Sequence, residues 1–442
     1  MSPTLVRAIG RWGLVALVLN SVIGSSVFGL PSVIAGKLGV VSPWAWLLAA
    51  AGISVVVACF AEVASRFGDA GGPYLYARAA FGRLAGIEMG WVAYLVRLTA
   101  SATNANLFVI YLGELWPGAQ GPLAGRLVLA GLIAPLAFVN YRGVSQGARL
   151  SSLLMATKLL PLTFFVILGL IMAVPHPVAT LASVHAGPTQ WLDSILLLMF
   201  AYGGFEGALV PLGEARDPRR DAPFALLVTL GVCALLYSLV QVVVNAALAD
   251  PASAVRPLAA AAQVFLGPAG ATLMALGALV SVYGYIAGAM VNVPRLTFAM
   301  ATTGDLPALF GRVHPRFRTP YLSIVTYAVL VWLLAASSSF LQNLTLSAVS
   351  RLFTYGLVCA ALPVFRAREA GTTGSAVPRA SIRLRGGMLW AVLGVAFSLV
   401  LATRMARKEL LVMAVTFGLG LLNWLWVRQR RAPPGRNTAE EG

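Results

Sequence analysis

The sequence predicts an all-α polytopic membrane protein with twelve transmembrane helices, arranged as two inverted five-helix repeats followed by two C-terminal helices. Three observations predict this class. The 442 residues are 59% hydrophobic and only 11% charged, with a mean hydropathy of +0.83, whereas soluble domains carry about 25% charged residues. Apolar runs of about 20 residues, long enough to cross a bilayer, recur along the chain. Two of these runs, five spans apart, are interrupted by glycine.

The predicted spans cover approximately residues 12–34, 43–65, 84–113, 124–140, 150–174, 191–213, 222–248, 268–299, 320–338, 345–364, 387–403 and 409–427. We expect four regions: a first repeat at 1–186, a second repeat at 187–366, spans eleven and twelve with their connector at 367–427, and a cytoplasmic tail at 428–442. The first span follows Arg7 and Arg11 but has no small-residue cleavage site after it, so we interpret it as a membrane span and not as a signal peptide.

The net charge of +17 would suggest a nucleic-acid partner in a soluble protein. Here most of the basic residues lie in short loops between spans, which is typical of a topology signal. They predict a multi-pass protein of the cell membrane with both termini in the cytoplasm, a lipid environment and no nucleic-acid partner. The opposite side holds few basic residues: Lys37, Arg126, Arg256, Arg404, Arg407 and Lys408. The 404–408 cluster is an exception to the rule.

Enzyme and metal chemistry have little support in the sequence. The three cysteines lie in apolar runs without metal-ligand spacing, and the three histidines lie in predicted loops. An intramembrane enzyme would need a Ser/His pair, an aspartate pair or a histidine-rich metal cluster at membrane depth, but the histidines lie in predicted loops and no aspartate pair lies in a span. We therefore expect no cofactor, no metal site and no enzymatic activity.

The interrupted spans are the main functional signal. The first is broken at Gly24-Ser25-Ser26 and the sixth at Gly203-Gly204. Unpaired backbone groups cost several kcal/mol in lipid, so helix breaks persist only where they line a cavity or contact a ligand. A matched pair is typical of the binding site of a secondary transporter built from inverted repeats. The alternative is that these glycines only allow close helix packing.

Each break offers both donors and acceptors. The half-helix that begins near Val27 presents N–H groups that attract an anion, and the half-helix that ends near Ile23 presents carbonyls that attract a cation. A zwitterionic α-amino acid fits this arrangement. The predicted substrate-binding residues are Ser21, Val22, Ile23, Gly24, Ser25, Ser26, Val27, Phe28, Phe200, Ala201, Tyr202, Gly203 and Phe205, with Arg97 as a further candidate.

The motifs around these breaks carry a family resemblance. Ile23–Phe28, Phe200–Glu206 and Gly304–Pro307 are similar to motifs of the amino acid–polyamine–organocation transporter superfamily, whose fold is that of the bacterial leucine transporter. The resemblance covers residues 10–365 and implies secondary active transport of amino acids by alternating access. Ser26 stands where that family has glycine. Its Cβ could narrow the approach of a substrate carboxylate, or its hydroxyl could donate a hydrogen bond.

Four charged residues lie more than five residues from either end of a predicted span, where charge is costly and indicates function. In relatives with lysine at the position of Lys158, the ammonium substitutes for a sodium ion. The resemblance therefore implies sodium-independent transport, with Ser281 as an acceptor for Lys158. The alternative is that Lys158 extends to the membrane surface. Glu206 either carries protons or fixes the broken backbone. Arg97 either pairs with Glu206 or binds an anionic substrate, and Arg351 is a packing or gate residue.

Other classes of transporter stay open. A carrier of the major facilitator type would repeat every six spans and carry a charged motif after the second span, which Gly68–Pro73 does not match. A polyamine carrier or another organic-solute carrier of the same fold is an alternative, and a channel or scaffold is a further one. The identity of the substrate, the choice among uniport, proton symport and exchange, and the oligomeric state do not follow from the sequence.

Overall fold

The computed structural model describes residues 10–67, 72–143, 148–175, 186–208, 216–370 and 379–430. Arg7, His176, His185 and residues 68–71 of the predicted loop lie outside the described residues, as does the end of the predicted tail from residue 431. The helices are α1 Arg11–Val22, α2 Ser26–Leu38, α3 Ser42–Ala64, α4 Gly72–Phe81, α5 Arg83–Leu115, α6 Pro122–Tyr141, α7 Ala148–Met172, α8 Pro188–Tyr202, α9 Phe205–Ala208, α10 Pro218–Ala247, α11 Pro257–Thr302, α12 Tyr321–Ser337, α13 Phe340–Ala370, α14 Gly387–Ala402 and α15 Arg407–Arg430.

The predicted all-α class is confirmed, and the described part of the chain contains no β-strand. Within it, six helical segments are long and apolar enough to cross a membrane: Ser26–Ala64, Pro122–Tyr141, Arg219–Ala247, Pro257–Thr302, Phe340–Ala370 and Arg407–Gln429. Large apolar side chains such as Leu123, Leu160 and Leu411 are about two-thirds exposed, which fits a surface that faces lipid. The count of twelve spans and the inverted-repeat order stay predictions.

Helices α4, α11, α13 and α15 differ from the sequence prediction, and α13 extends beyond its predicted span at 345–364 at both ends. Helix α4 was not predicted. Its ten residues are too few to cross a membrane, so the search for long apolar runs did not find it. Helix α11 begins at Pro257, well before the predicted span at 268–299, and the backbone turns at Gly267, which has φ 69°. Helix α15 continues to Arg430, into the region predicted as a tail.

Both predicted helix breaks are present. Helix α1 ends at Val22, Ile23 is extended, and α2 begins at Ser26, one residue earlier than predicted. Helix α8 ends at Tyr202, Gly203 is extended, and Gly204 has φ 117°. That conformation is open to glycine but strained for residues with a Cβ. The backbone therefore needs glycine at position 204 whatever the site binds.

Buried ion pairs hold the helices together at the end of the bundle where α5 begins. Asp305, which follows α11, lies 2.9 Å from Arg78 of α4 and 2.7 Å from Arg83 of α5. The Tyr74 hydroxyl donates to the same carboxylate at 2.5 Å. Burial and the Asp305 carboxylate raise the pKa of Tyr74, so the hydroxyl keeps its proton and remains a donor.

A second cluster at this end joins α3 to α13. Glu62 is fully buried and pairs with Arg66, 3.2 Å away on the same helix, and with Arg366 of α13 at 2.5 Å. Its carboxylate also accepts a hydrogen bond from the backbone N–H of Leu384, which precedes α14. Arg66 in turn pairs with Glu369 at 3.0 Å. The cluster links the ends of two helices that are about 300 residues apart in sequence.

Fewer pairs lie at the other end of α5. Arg256 pairs with Glu114 at 2.6 Å. Asp193 of α8 lies 2.8 Å from Arg404 and 3.8 Å from Lys37. The positive-inside rule did not explain the basic residues at 404–408. The ion pair of Arg404 with Asp193 gives one of them a structural role, because it ties Arg404 to the first half of α8.

Candidate substrate site

The two helix breaks meet inside the bundle. Gly204 lies so close to the Ser21 carbonyl that a Cβ at position 204 would overlap it, and the same Cβ would come within 3.3 Å of Val22 Cα. The structure therefore brings the predicted segments 21–28 and 200–205 together. Apart from Ser21, which is partly buried, every residue of these segments is buried. The site is closed to solvent in this conformation.

The start of α2 offers backbone N–H donors, and one neighbouring N–H group already has a partner. Ser26 and Val27 begin α2, so their N–H groups have no acceptor within the helix. The Ser25 N–H donates to Asn104 Oδ1 of α5 at 3.0 Å, and the Asn104 amide donates to the Ala100 carbonyl at 2.8 Å. Asn104 was not predicted, although an asparagine in an apolar span is a signal that could have found it. A side-chain amide thus occupies one position that we expected a substrate carboxylate to take.

On the acceptor side, Lys158 occupies the end of α1. Its ammonium donates to the carbonyls of Asn20 and Ile23, both at 3.0 Å, and the residue is 1% exposed. It therefore does not extend to the membrane surface. The expected hydrogen bond to Ser281 is not formed, because the ammonium points to the two carbonyls of the break. In the described part of the chain the Ser281 hydroxyl has no partner.

Glu206 organises the second break. One carboxylate oxygen accepts the Gly204 N–H at 2.8 Å, and the other lies 3.1 Å from Arg351 Nε and 3.5 Å from Arg97 Nη2. In this conformation Glu206 contacts the broken backbone and Arg97 pairs with it, and the proton-coupling role of Glu206 and the anion-binding role of Arg97 stay predictions. Arg351 also donates to the Phe200 carbonyl at 3.4 Å and is 1% exposed. Its part in this network was not predicted.

The glycines of the second break make room for these arginines. A Cβ on Gly203 would lie 2.5 Å from Arg351 Nε, and a Cβ on Gly207 would overlap the Arg97 guanidinium. Such overlaps would displace two buried charged groups. The glycines at the second break therefore also make space for the two guanidinium groups.

Polar atoms without partners cluster around the first break. The hydroxyls of Ser25, Ser281 and Tyr285 and the side-chain oxygen of Asn20 are buried and form no hydrogen bond with the described residues. Tyr285 is adjacent to the break, since its ring lies 3.3 Å from the position of a Cβ on Gly24. An unsatisfied buried polar group costs about 1–3 kcal/mol. A polar ligand beside Gly24 would remove part of that cost.

The predicted aromatic residues pack against other aromatic residues in this conformation. The Tyr202 hydroxyl donates to the Trp46 carbonyl at 2.9 Å. Phe205 stacks on Tyr355 with ring centroids 5.5 Å apart. The Phe28 carbonyl accepts a hydrogen bond from the hydroxyl of Tyr111 on α5 at 2.7 Å. These contacts hold the two breaks against α3, α5 and α13.

Ser26 is turned towards α10. It is 1% exposed, and its hydroxyl lies beside that of Tyr237. Tyr237 packs its ring against Trp46 of α3, with centroids 5.3 Å apart. The Cβ at position 26 is therefore accommodated within the bundle, and its effect on a substrate carboxylate stays a prediction.

The sequence model of the amino acid permease family matches residues 9–418. The chain belongs to the amino acid permease family. It is 31% identical to an uncharacterized transporter of Mycobacterium tuberculosis over 364 residues, which are 79% of this chain and 78% of that protein. A methylthioribose transporter of Bacillus subtilis is 26% identical over 72% of each chain. The serine/threonine exchanger of the same organism is 28% identical over 72% of this chain and 74% of its own length.

Membership of this family makes the chain an integral membrane permease with a small-molecule substrate. Among the described residues, no group of three or more His, Cys, Asp or Glu side chains could hold a metal ion. The groups gathered at the breaks are backbone amides and carbonyls, hydroxyls and four charged side chains. Such groups bind small polar solutes without metal chemistry.

Proposed function

We propose that this permease is a secondary active transporter that moves an amino acid across the cell membrane by alternating access. The observation that carries the proposal is the meeting of the two helix breaks, where Gly204 contacts the Ser21 carbonyl. Backbone groups are left unpaired at membrane depth only where they line a cavity or bind a ligand. The hydroxyls of Ser25 and Tyr285, which have no partner among the described residues, add support, because they lie beside the same break.

We propose the architecture that the resemblance to the amino acid–polyamine–organocation superfamily implies. Twelve spans form two inverted five-helix repeats, at 1–186 and 187–366, and spans eleven and twelve follow. One ion pair joins the start of α5 to the residue Asp305 after α11, and another joins the end of α5 to Arg256 before α11. The two helices therefore run in opposite directions, which supports a chain that crosses the membrane repeatedly. Both termini are cytoplasmic, as the distribution of Lys and Arg indicates. In such transporters one repeat rocks against the other around the fixed site.

Sodium is not the coupling ion in this proposal. Lys158 places an ammonium on the two carbonyls that end α1. A sodium ion about 4 Å away would be repelled by roughly 4 kcal/mol at an effective dielectric constant near 20. Transport is then driven by a proton gradient or by exchange for another solute. The serine/threonine exchanger among the relatives supports exchange.

A second candidate substrate is an organic solute without an α-carboxylate. Asn104 already occupies the Ser25 N–H, which removes one of the donors available to a carboxylate. The methylthioribose transporter among the relatives supports this alternative. A polyamine fits less well, because three cationic side chains already surround the breaks.

Uptake into proteoliposomes tests the proposal. Purified protein is reconstituted in sodium-free choline buffer, loaded with unlabelled amino acids, and supplied with each labelled amino acid in turn. We expect accumulation of at least one, and its loss in Gly24→Leu, whose side chain would overlap Asn104 and Tyr285. Gly131→Leu is the matched control, because position 131 is exposed and no atom lies within 4 Å of its Cβ position. Equal uptake by both variants would show that the substrate does not bind at the first break.

A further inference from the structure

The centre of the bundle carries more positive than negative charge. Arg97, Lys158 and Arg351 lie well inside α5, α7 and α13, and Glu206 is the one acidic residue that contacts any of them in the described part of the chain. Arginine stays charged in proteins. Two guanidinium groups therefore share one carboxylate, so at least one positive charge remains even if Lys158 releases its proton.

Other buried acids do not compensate this charge. Glu62 and Asp305 are paired with their own arginines at the end of the bundle where α5 begins. Glu88 lies in the second turn of α5 and packs against Gly420 of α15. These carboxylates belong to the bundle end or to a different helix contact. Among the described residues, no acid other than Glu206 pairs with the cations at the breaks.

Basic side chains of the protein already contact the free carbonyl groups at the ends of α1 and α8. Lys158 binds the carbonyls of Asn20 and Ile23 at the end of α1, and Arg351 binds the Phe200 carbonyl at the end of α8. In the proposed repeats, Lys158 lies on span five and Arg351 on span ten, so each caps the broken first helix of its own repeat. A ligand with net positive charge would find these acceptors taken, and it would be repelled by the residues that hold them.

Arg97 is the cation with the weakest partner. Its only ion pair among the described residues is the 3.5 Å contact with Glu206, and its guanidinium donates no hydrogen bond there. Its side chain is 12% exposed, against 2% for Arg351. Burying an incompletely paired charge is costly. An anionic group of a ligand would supply the missing partner.

We propose that the substrate carries net negative charge, as a dicarboxylic amino acid or another small organic acid does, and that Arg97 determines this selectivity by binding its second anionic group. The inference rests on the proposed function. The first carboxylate lies at the start of α2, where the N–H groups of Ser26 and Val27 are free of intrahelical acceptors and the unpartnered Ser25 hydroxyl adjoins them. Arg97 lies at the second break, where its guanidinium adjoins Gly207 and Glu206, and Glu206 in turn holds Gly204, which contacts the Ser21 carbonyl of the first break.

Competition between isosteric ligands tests the inference. Proteoliposomes containing the full chain are assayed for uptake of labelled L-glutamate and L-glutamine, with L-aspartate, succinate, L-serine and L-arginine as unlabelled competitors. We expect glutamate to be preferred over glutamine by at least about tenfold, equivalent to 1.4 kcal/mol, and L-arginine not to compete. Arg97→Gln should lower the glutamate-to-glutamine ratio about tenfold, and Arg97→Lys should restore part of it.

The controls separate charge recognition from folding. Arg126→Gln removes an arginine at an exposed position and should leave the ratio unchanged. A purely structural role for Arg97 would lower uptake of both ligands equally and keep their ratio, and that result would overturn the inference. A wild-type preference for glutamine, serine or arginine would also overturn it while leaving amino acid transport intact. Failure of both labelled ligands to accumulate, in vesicles that accumulate another labelled amino acid, would overturn the inference alone, whereas failure of every labelled amino acid would reject the proposed function as well.

Discussion

Removing the Lys158 ammonium should convert a sodium-indifferent transporter into a slow one that responds to sodium. In wild type the ammonium donates two hydrogen bonds to buried carbonyls, both 3.0 Å long. Hydrogen bonds to charged groups contribute about 1.5–3 kcal/mol each. Lys158→Ala removes two of them, so the end of α1 loses roughly 3–6 kcal/mol of stabilisation. Water or a cation must then occupy the carbonyls of Asn20 and Ile23.

The assay compares wild type and Lys158→Ala in proteoliposomes with sodium replaced by choline. Wild-type uptake should change by less than about twofold, because repulsion of roughly 4 kcal/mol opposes a second cation beside the ammonium. The variant should lose turnover by about tenfold or more in choline, with a smaller loss of substrate affinity. Sodium should raise the thermal stability of the variant but not that of wild type. Lys408→Ala, at an exposed lysine, is the matched control.

Dependence of wild-type uptake on sodium would refute this reasoning, since it would require a cation site that Lys158 does not fill. The response to external pH then separates the two proposed couplings. If Lys158 releases its proton during the cycle, uptake should rise at acidic external pH. If it stays charged, uptake should follow the concentration of the exchanged solute inside the vesicles and vary little with pH.

Three further substitutions test the second break, the carboxylate subsite and the ion-pair cluster at the bundle end. Gly204→Ala should cost about 1–3 kcal/mol of stability from its positive φ alone and should stop uptake, because the new Cβ overlaps the Ser21 carbonyl; thermal unfolding and uptake near wild-type values would contradict the contact. Ser26→Gly should raise substrate affinity by opening the carboxylate subsite, whereas weaker binding would identify the hydroxyl as a ligand contact. Asp305→Asn should lower the free energy of unfolding by about 3 kcal/mol, because it leaves Arg83 without its buried partner; a change in uptake without a loss of thermal stability would argue against this structural role.

Much of the helical framework follows from local properties of the chain. A span is recognised from its apolar length alone, and α3, α5 and α6 begin and end within about two residues of their predicted bounds. The breaks in α1–α2 and α8–α9 follow from glycine in an apolar run. Helix α4 escaped prediction because it is short, and the helical residues from Pro257 to the turn at Gly267 were missed because they are too few to form a span. The limits of the two repeats stay predictions.

The sequence by itself determined where helices form, where they break and which ionisable residues lie at membrane depth, because each of these depends on neighbours along the chain. Only the tertiary structure decided how those charges pair. Arg351 reaches Glu206 across 145 residues and Asn104 reaches Ser25 across 79, whereas Lys158 turns to Asn20 and Ile23 and leaves Ser281 unpaired. Such contacts depend on how each helix is rotated and placed against the others, which no local pattern specifies.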